Sequence, residues 1–352
     1  MKKCMYLLVL FGIFLNFSGC GILAKNDAIN WKIDPQKNHG IDVIAVESIY
    51  NTIINDERIL SFLVIKDGHL ISEYYAEGYN KDSVFPFYSC AKSVTSAVYG
   101  IALDMGIIKG PETKVVDYFP KYTGNGKENT TIEHLLNLTC GLEWPELSPT
   151  THDHITRDWV PSKNWTDFIL ERDVESAPGI NFNYNSGAVH LLSGIFQKST
   201  GKKLSDFAEK QLFKKIGMKS VKWEEDPQGI TLGGGGIHMT SRDAARFGQL
   251  YANKGKWRGK QIVPEEWVQI STGKHSDGVL DYGTYGYLWW INEFVNDFGT
   301  DEVYKMFYAM GMNGQFIFVV PEYNLVSVIT SEYISYLTLR NFKQYVENGI
   351  KR

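Results

Sequence analysis

The sequence predicts an α+β fold, an α/β sandwich in which an antiparallel sheet of about five strands is flanked by helices. Two observations carry this prediction. Runs rich in β-branched and aromatic residues lie at both ends of the chain, whereas the middle has helical periodicity. The C-terminal runs are also separated by short connections, which suit antiparallel pairing because parallel strands need long crossovers.

The strands are predicted near each terminus. The stretch "ILSFLVIKDGHLISEYYAEG" places two β-rich runs around Asp67-Gly68, a dipeptide typical of tight hairpin turns. Late in the chain, "YGYLWWINEF", "FYAMG", "GQFIFVV" and "LVSVITS" are further candidates, followed by a helix from about Ile334. We therefore expect the sheet to come from about 41–88 and 280–352, with a mostly helical portion over about 89–279.

The first residues are typical of an export signal. "MKK" precedes the apolar run "MYLLVLFGIFLNF", and "SGC" ends at Cys20. Small residues before a cysteine resemble a bacterial lipoprotein signal, with 1–19 removed and Cys20 lipidated; an ordinary secretory signal is the alternative. We expect 20–40 to be a linker and 41–352 the folded domain. The protein would lie outside the cytoplasmic membrane, held by the lipid, or in the periplasm or outer membrane.

The composition excludes several function classes. A chain of 352 residues with 43% hydrophobic content can bury a large core. Its net charge of −4 argues against nucleic-acid binding, which favours a basic surface. Outside the signal and Cys20, only Cys90 and Cys140 remain, too few for a disulfide scaffold.

Other catalytic motifs are missing from the sequence. No serine has the glycine spacing of a nucleophile elbow, and no H-E-x-x-H is present. "HDH" at 152–154 is interpreted as a solvated loop, and "GGGG" at 233–236 as a tight loop where backbone approaches backbone. We expect no metal and no cofactor.

A serine and a lysine three residues apart offer the clearest chemistry. S-x-x-K occurs three times, but only Ser89/Lys92 begins a long apolar helix; the other two pairs lie in "STGK" loops. Residues three apart share a helix face, so Lys92 can reach the Ser89 hydroxyl. A buried, neutral lysine there would accept the serine proton. The alternative is a solvated helix face.

Two later residues add to this pair. Tyr184, in the loop of "PGINFNYNSGAVHLL", offers a hydroxyl for proton transfer, unless it is simply one of many packed tyrosines. Gly311, in "YAMGMNGQFIFVV", would let a substrate carbonyl lie against a strand backbone, unless it marks a bulge.

Together these pieces resemble the serine β-lactamase and penicillin-binding-protein superfamily, on its class C branch, with a β-lactamase/transpeptidase-like fold. The resemblance runs from about Ile59 to Thr330 and includes "TIEHLLNLTCGLEW" and "MTSRDAARFGQLYANKGKWRGKQIVPEEWV". It implies that Ser89 is the acylated nucleophile, Lys92 its base or proton shuttle, and Tyr184 the acid/base. The backbone N–H groups of Ser89 and Met312 would form the oxyanion hole.

The sequence departs from that family at two motifs. Tyr-x-Asn reads "YNS" from Tyr184, and Lys-Thr-Gly reads "AMG" from Ala309. In β-lactam-recognising members, the lysine and threonine hold the drug carboxylate. A charged hydrogen bond contributes ~1.5–3 kcal/mol, so its loss costs roughly ten- to hundredfold in binding. "YAMGMNGQ" and "YNS" are most similar to the 6-aminohexanoate-dimer hydrolase-like and esterase-like members.

We therefore expect an exported serine hydrolase for a carboxylic ester, small amide or peptide. One alternative is a β-lactamase, D,D-peptidase or D-aminopeptidase; a β-lactamase or D,D-peptidase would need another cation. Another is a non-catalytic lipoprotein that binds peptidoglycan fragments or a partner. The predicted substrate contacts are Ser186, Asn185, Gly311, Gln315 and Trp144.

Overall fold

The computed structural model describes five stretches of the chain. The predicted signal, Cys20 and the "HDH" sequence lie outside them. The described ranges are 29–35, 39–147, 155–295, 303–333 and 336–349.

The described strands form one large sheet and two small ones. The large sheet has eight strands in the order β2-β1-β13-β12-β11-β10-β9-β8, all antiparallel, and the small sheets are β3-β5-β4 and β6-β7. The strands are β1 Ile59–Lys66, β2 His69–Tyr75, β3 Val84–Tyr88, β4 Lys222–Trp223, β5 Ile237–Thr240, β6 Lys256–Trp257, β7 Lys260–Gln261, β8 Ser276–Val279, β9 Gly283–Tyr285, β10 Trp290–Val295, β11 Val303–Gly311, β12 Gln315–Val320 and β13 Leu325–Ser331.

Helices cover the sheet and fill most of the middle of the chain. Among the described residues, none of them combines the length and apolar character that a membrane crossing requires. The helices are α1 Val43–Ile54, α2 Ala91–Asp104, α3 Ile132–Leu136, α4 Thr156–Trp159, α5 Trp165–Leu170, α6 Ser186–Thr200, α7 Leu204–Ala208, α8 Lys214–Ile216, α9 Ser241–Ala252, α10 Glu265–Ser271 and α11 Tyr336–Gly349.

The predicted α+β class is confirmed, but the expected count of about five strands is wrong. The large sheet has eight, because β8 and β9 extend its far edge. These two strands are short, and each contains a glycine at positive φ, Gly278 and Gly283. Strands are predicted from apolar residues at every second position, and these two short segments lack that alternation, so the sequence does not indicate them.

The first and last strands of the large sheet in chain order, β1 and β13, pair near one edge of it. The hairpin of β1 and β2 turns at Asp67 and Gly68, whose φ angles of 53° and 76° suit a tight hairpin turn. Strand β1 then pairs with β13, placing Phe62 opposite Ile329. Because β1 pairs with β13, most of the residues between β3 and β8 are free to form the mostly helical part of the domain.

The three-stranded sheet of β3, β5 and β4 lies outside the large sheet. Strand β3 pairs with β5 and ends at Tyr88, one residue before Ser89. The expected helical portion therefore also contains strands, and one of the small sheets leads directly into the candidate nucleophile.

The C-terminal helix α11 packs its aromatic residues on one face of the sheet. Phe342 stacks on Phe318 with ring centroids 4.3 Å apart, and Tyr345 meets Phe62 edge to face at 6.2 Å. All four side chains are buried. On the other side of the sheet, Gly248 of α9 lies so close to β13 that a Cβ would meet a methyl group of Val326 at 2.5 Å.

The packing of Phe342 predicts a large stability effect. Phe342→Ala should lower the free energy of unfolding by about 3–5 kcal/mol, because it removes a buried ring and leaves a cavity. Phe342→Leu should cost less, since it keeps most of the apolar contact. Urea denaturation followed by circular dichroism measures both variants. Equal stability of Phe342→Ala and wild type would contradict this packing.

Candidate functional site

The turn before α2 presents Ser89. Tyr88 has φ of 44°, an unfavourable value for a bulky residue, and Cys90 is the N-cap of α2. Ser89 was expected in the first helical turn, but it lies just before the cap, and its carbonyl accepts from the N–H of Lys92 at 3.0 Å. Ser89 thus stands on a strained turn between β3 and the helix that carries Lys92.

Lys92 is buried at the centre of the site. Its side chain is only 2% exposed, and Nζ lies 3.0 Å from Ser89 Oγ, 2.8 Å from Ser186 Oγ and 2.8 Å from the Gly234 carbonyl. A neutral amine has two N–H donors and one lone pair. Donation to Ser186 and Gly234 therefore leaves the lone pair directed at the Ser89 hydroxyl.

The pKa of Lys92 is lowered to about 8, and burial is the main cause because it penalises the charged form. The Glu146 carboxylate opposes this shift, since a nearby negative charge favours the ammonium. At pH 7 roughly a tenth of Lys92 is therefore an uncharged amine that can accept a proton, and this fraction rises to about half at pH 8.

Glu146 is the functional candidate that the sequence did not reveal. Its Oε1 accepts from Ser186 Oγ at 2.6 Å, and its Oε2 accepts from the Ser186 N–H and from Trp144 Nε1, each at 2.7 Å. Glu146 lies in a loop 40 positions before Ser186, with no motif spacing between them. The one available signal was Ser186 itself, because a hydroxyl in place of the family asparagine needs an acceptor.

Tyr184 lies two residues before the first residue of α6 and packs beside Lys92. Its ring centroid lies 4.6 Å from Lys92 Nζ, and the rise that burial causes in its pKa is partly offset by its interaction with Ser89, which lowers the pKa. The ring stacks on Trp290 of β10 at 5.8 Å. Burial, with Glu146 adding to it, raises the pKa of Tyr184, so its hydroxyl stays protonated at neutral pH.

Strand β11 ends against the turn that carries Ser89. A Cβ at Gly311 would lie 2.3 Å from the Phe87 carbonyl oxygen, so this contact requires glycine. Met312 follows and is 54% exposed, and it lines the same cavity as Ser89. The two backbone N–H groups proposed for an oxyanion hole therefore belong to residues on one cavity wall.

The cavity beside Ser89 has a volume of about 490 Å³. Its apolar lining residues include Trp159, Trp165, Leu232 and Ile237. The loop at 233–236 passes behind Ser186: a Cβ at Gly234 would lie 2.9 Å from the Ser186 carbonyl. The glycines permit the close backbone approach that brings the Gly234 carbonyl to Lys92.

Three of the residues predicted to contact the substrate make hydrogen bonds within the protein. Asn185 is buried and caps α6, accepting from the Ala188 N–H at 2.8 Å. Gln315 donates to the Ser331 carbonyl at 2.6 Å. Trp144 donates to Glu146 and packs against Trp159, so these side chains support the site instead of facing its cavity.

The structure places three of the other predicted side chains, Ser89, Tyr184 and Ser186, around Lys92. Each of the three lies next to the Lys92 amine, although 97 positions separate Ser89 from Ser186. Ser186 contacts the Lys92 amine directly, which gives it a place within the reactive cluster as well as on the cavity wall. Cys90 and Cys140 are both buried free thiols.

Comparison with known proteins identifies a matching family model and a curated relative. The Beta-lactamase family model matches residues 56–333. The 6-aminohexanoate-dimer hydrolase of Paenarthrobacter ureafaciens is 24% identical over 296 residues, covering 78% of this chain and 72% of that protein.

Two solved structures share the fold. EstCE1, a hydrolase with promiscuous acyltransferase activity, superposes with a TM-score of 0.71 at 15% identity, covering 87% of this chain and 98% of that one. The class C β-lactamase of Rhodobacter sphaeroides has a TM-score of 0.66 at 15% identity, covering 86% and 98%. The family match spans the turn of Ser89, the loop of Glu146 and the end of β11, and by it this chain belongs to the Beta-lactamase family of hydrolases.

Proposed function

We propose that this protein is an exported serine hydrolase that cleaves a carboxylic ester or small amide through an acyl-enzyme on Ser89. The observation that carries the proposal is the buried Lys92 amine, 3.0 Å from Ser89 Oγ, with its other two neighbours acting as hydrogen-bond acceptors. A base in this position converts a weak hydroxyl nucleophile into a strong one.

The first step forms the acyl-enzyme. Lys92 takes the proton of Ser89 as Oγ attacks the substrate carbonyl carbon, and the carbonyl oxygen becomes negative. The N–H groups of Ser89 and Met312 would stabilise that oxygen. The bond to the leaving group then breaks, and Tyr184, a protonated phenol beside Lys92, donates a proton to the leaving group.

The second step releases the acid. A water molecule attacks the acyl carbonyl, its proton passes to the Tyr184–Lys92 pair, and Ser89 Oγ leaves with a proton returned from that pair. The enzyme is thereby restored, and the net reaction consumes one water for each ester or amide bond that breaks.

Glu146 would set the proton affinity of Lys92. Its carboxylate binds both the N–H and the hydroxyl of Ser186, so Ser186 is held with its oxygen toward the Lys92 amine. The same negative charge keeps the pKa of Lys92 from falling further. Glu146 is therefore proposed as a positioning residue that acts through Ser186 and Lys92.

The cavity supports an ester or uncharged amide over a β-lactam. Among its described lining residues there is no lysine or arginine, and the one histidine, His238, lies 2.9 Å from Glu224. Glu146 adds a second carboxylate. Ala309, at the position of the family lysine, is buried in β11 and has no charge to offer a substrate carboxylate.

The N-terminal sequence supports export with a lipid at Cys20. The positive start, the apolar run and the small residues before Cys20 have the order of a lipoprotein signal. We propose that the lipid holds the hydrolase at a membrane surface outside the cytoplasm.

Removal of the nucleophile or the phenol should abolish or strongly reduce turnover. Ser89→Ala should show no hydrolysis of p-nitrophenyl acetate or butyrate above background and no labelling by a fluorophosphonate. Tyr184→Phe should lower kcat by about 10²–10⁴-fold, the usual contribution of a general acid or base.

The second S-x-x-K pair supplies a matched control. Ser199 precedes Lys202 by three residues, but its hydroxyl donates only to the Ile195 carbonyl, so Ser199→Ala should keep wild-type rates. Ester hydrolysis that survives in Ser89→Ala would refute the mechanism. Rapid turnover of a chromogenic cephalosporin would instead favour the β-lactamase alternative.

Glu146→Gln should move the pH dependence of acylation to lower pH. In the wild type the rate should rise with pH, reach half its maximum near the Lys92 pKa of about 8 and level off above it, because only the neutral amine accepts the proton. Loss of the Glu146 charge removes the influence that raises this pKa, so the rising limb shifts to more acidic pH. The rate of fluorophosphonate labelling against pH measures it.

Glu143→Gln is the control for this experiment, since Glu143 is an exposed carboxylate in the same loop. Its profile should match the wild type. An unchanged or alkaline-shifted limb in Glu146→Gln would exclude Glu146 as the group that sets the Lys92 pKa.

Cys20→Ser should prevent lipid attachment. Radiolabelled palmitate supplied to expressing bacteria should be incorporated into the wild-type protein and into Cys4→Ser, the control within the signal, but not into Cys20→Ser. Equal labelling of all three proteins would rule out Cys20 as the lipid site.

A further inference from the structure

Three side chains with metal-binding atoms converge at the outer edge of the large sheet. Asp34 and His39 come from the segment that precedes α1, and His69 begins β2. None of them belongs to the site around Ser89, which lies near the end of β11. Strands β2 and β11 are four positions apart in the sheet, or about 19 Å at ~4.8 Å per strand.

The spacing of their donor atoms suits a small cation. Asp34 Oδ2 lies 3.3 Å from His39 Nε2 and 3.5 Å from His69 Nδ1. All three atoms lie within 4.8 Å of one another. Around a tetrahedral Zn²⁺ with bonds of about 2.0–2.1 Å, neighbouring ligand atoms are separated by about 3.3 Å. The two distances that involve Asp34 therefore already correspond to edges of such a tetrahedron.

The two imidazole nitrogens are buried, and each faces the Asp34 carboxylate at ion-pair distance without making a hydrogen bond in the described structure. His39 Nε2 and His69 Nδ1 are both inaccessible to solvent, and the His39 side chain is only 10% exposed. Buried polar atoms are rarely left unsatisfied, and such a group calls for an explanation, an unseen ion among them. A metal bound to both nitrogens and to the Asp34 carboxylate would satisfy them together.

The backbone fixes two of the three ligands relative to each other. The segment that contains Asp34 runs beside β2: the Asn30 N–H donates to the Gly68 carbonyl at 2.7 Å, and the Asp34 N–H donates to the Leu70 carbonyl at 2.9 Å. His69 lies between these two contacts. Preorganised ligands lose little conformational freedom when a metal binds, which favours affinity.

We propose that Asp34, His39 and His69 form a binding site for a divalent transition metal, with Zn²⁺ as the cation to test. Two imidazoles and one carboxylate are ligands that Zn²⁺ accepts, with water as a fourth. Bound there, the metal clips the segment before α1 onto β2, the edge strand of the sheet. It is too far from Ser89 to contact a substrate there, so its role is structural.

The direct test is metal binding by the purified protein after treatment with EDTA and dialysis. Calorimetry with Zn²⁺ should show one site per chain, and Co²⁺ should give the intense visible absorption of tetrahedral coordination. Asp34→Asn, His39→Ala and His69→Ala should each weaken binding by about 100-fold or more, beyond the 10–100-fold typical of outer-shell changes. Zn²⁺ should raise the Tm of the wild type and of none of these variants.

The histidines at 152 and 154 offer the competing site in this chain. A His152→Ala/His154→Ala protein should bind Zn²⁺ as the wild type does, and so should His275→Ala. Binding that survives in Asp34→Asn but is lost in the His152/His154 variant would overturn the proposal, as would no one-to-one binding in the wild type. Asp34→Asn keeps the size of the side chain, and circular dichroism establishes its folding before titration.

Discussion

The burial of one amine, that of Lys92, is the constraint on which the rest of the site depends. An ammonium removed from water is costly unless acceptors surround it, and here three oxygens do so. They come from the turn before α2, the start of α6 and the loop at 233–236. The packing of the whole domain brings these three segments to the same point. The pKa of Lys92 therefore depends on the positions of several helices, strands and loops.

The remainder of the fold can be understood as the means of holding those segments. Strand β3, paired with β5, leads into the strained Tyr88–Ser89 turn. Strand β11 approaches the same turn through Gly311, whose lack of a side chain allows contact with the Phe87 carbonyl. Because β11 belongs to the same sheet as β1 and β13, strands from both ends of the domain contribute to the geometry around one hydroxyl.

Much of this was predictable from the sequence, and the exceptions have physical reasons. The Ser89/Lys92 pair and the hairpin at Asp67 follow from local rules of spacing and turn chemistry. Glu146 does not, because a loop residue is brought to Ser186 only by tertiary packing. The same holds for His69 and Asp34, whose approach depends on a segment lying along a sheet edge. The two short outer strands were missed because they bury too little to show a pattern.

One of the oxygens around Lys92 differs from the others in kind. The Gly234 acceptor is a backbone carbonyl whose position requires a glycine, whereas the Ser186 hydroxyl and the Glu146 carboxylate that holds it are side chains. One acceptor of the amine thus depends on the absence of a side chain, and the other depends on the Ser186–Glu146 pair of side chains. Among related proteins, substitutions at Ser186 or Glu146 can therefore change the pKa of the base, Lys92, without any change at the nucleophile, Ser89.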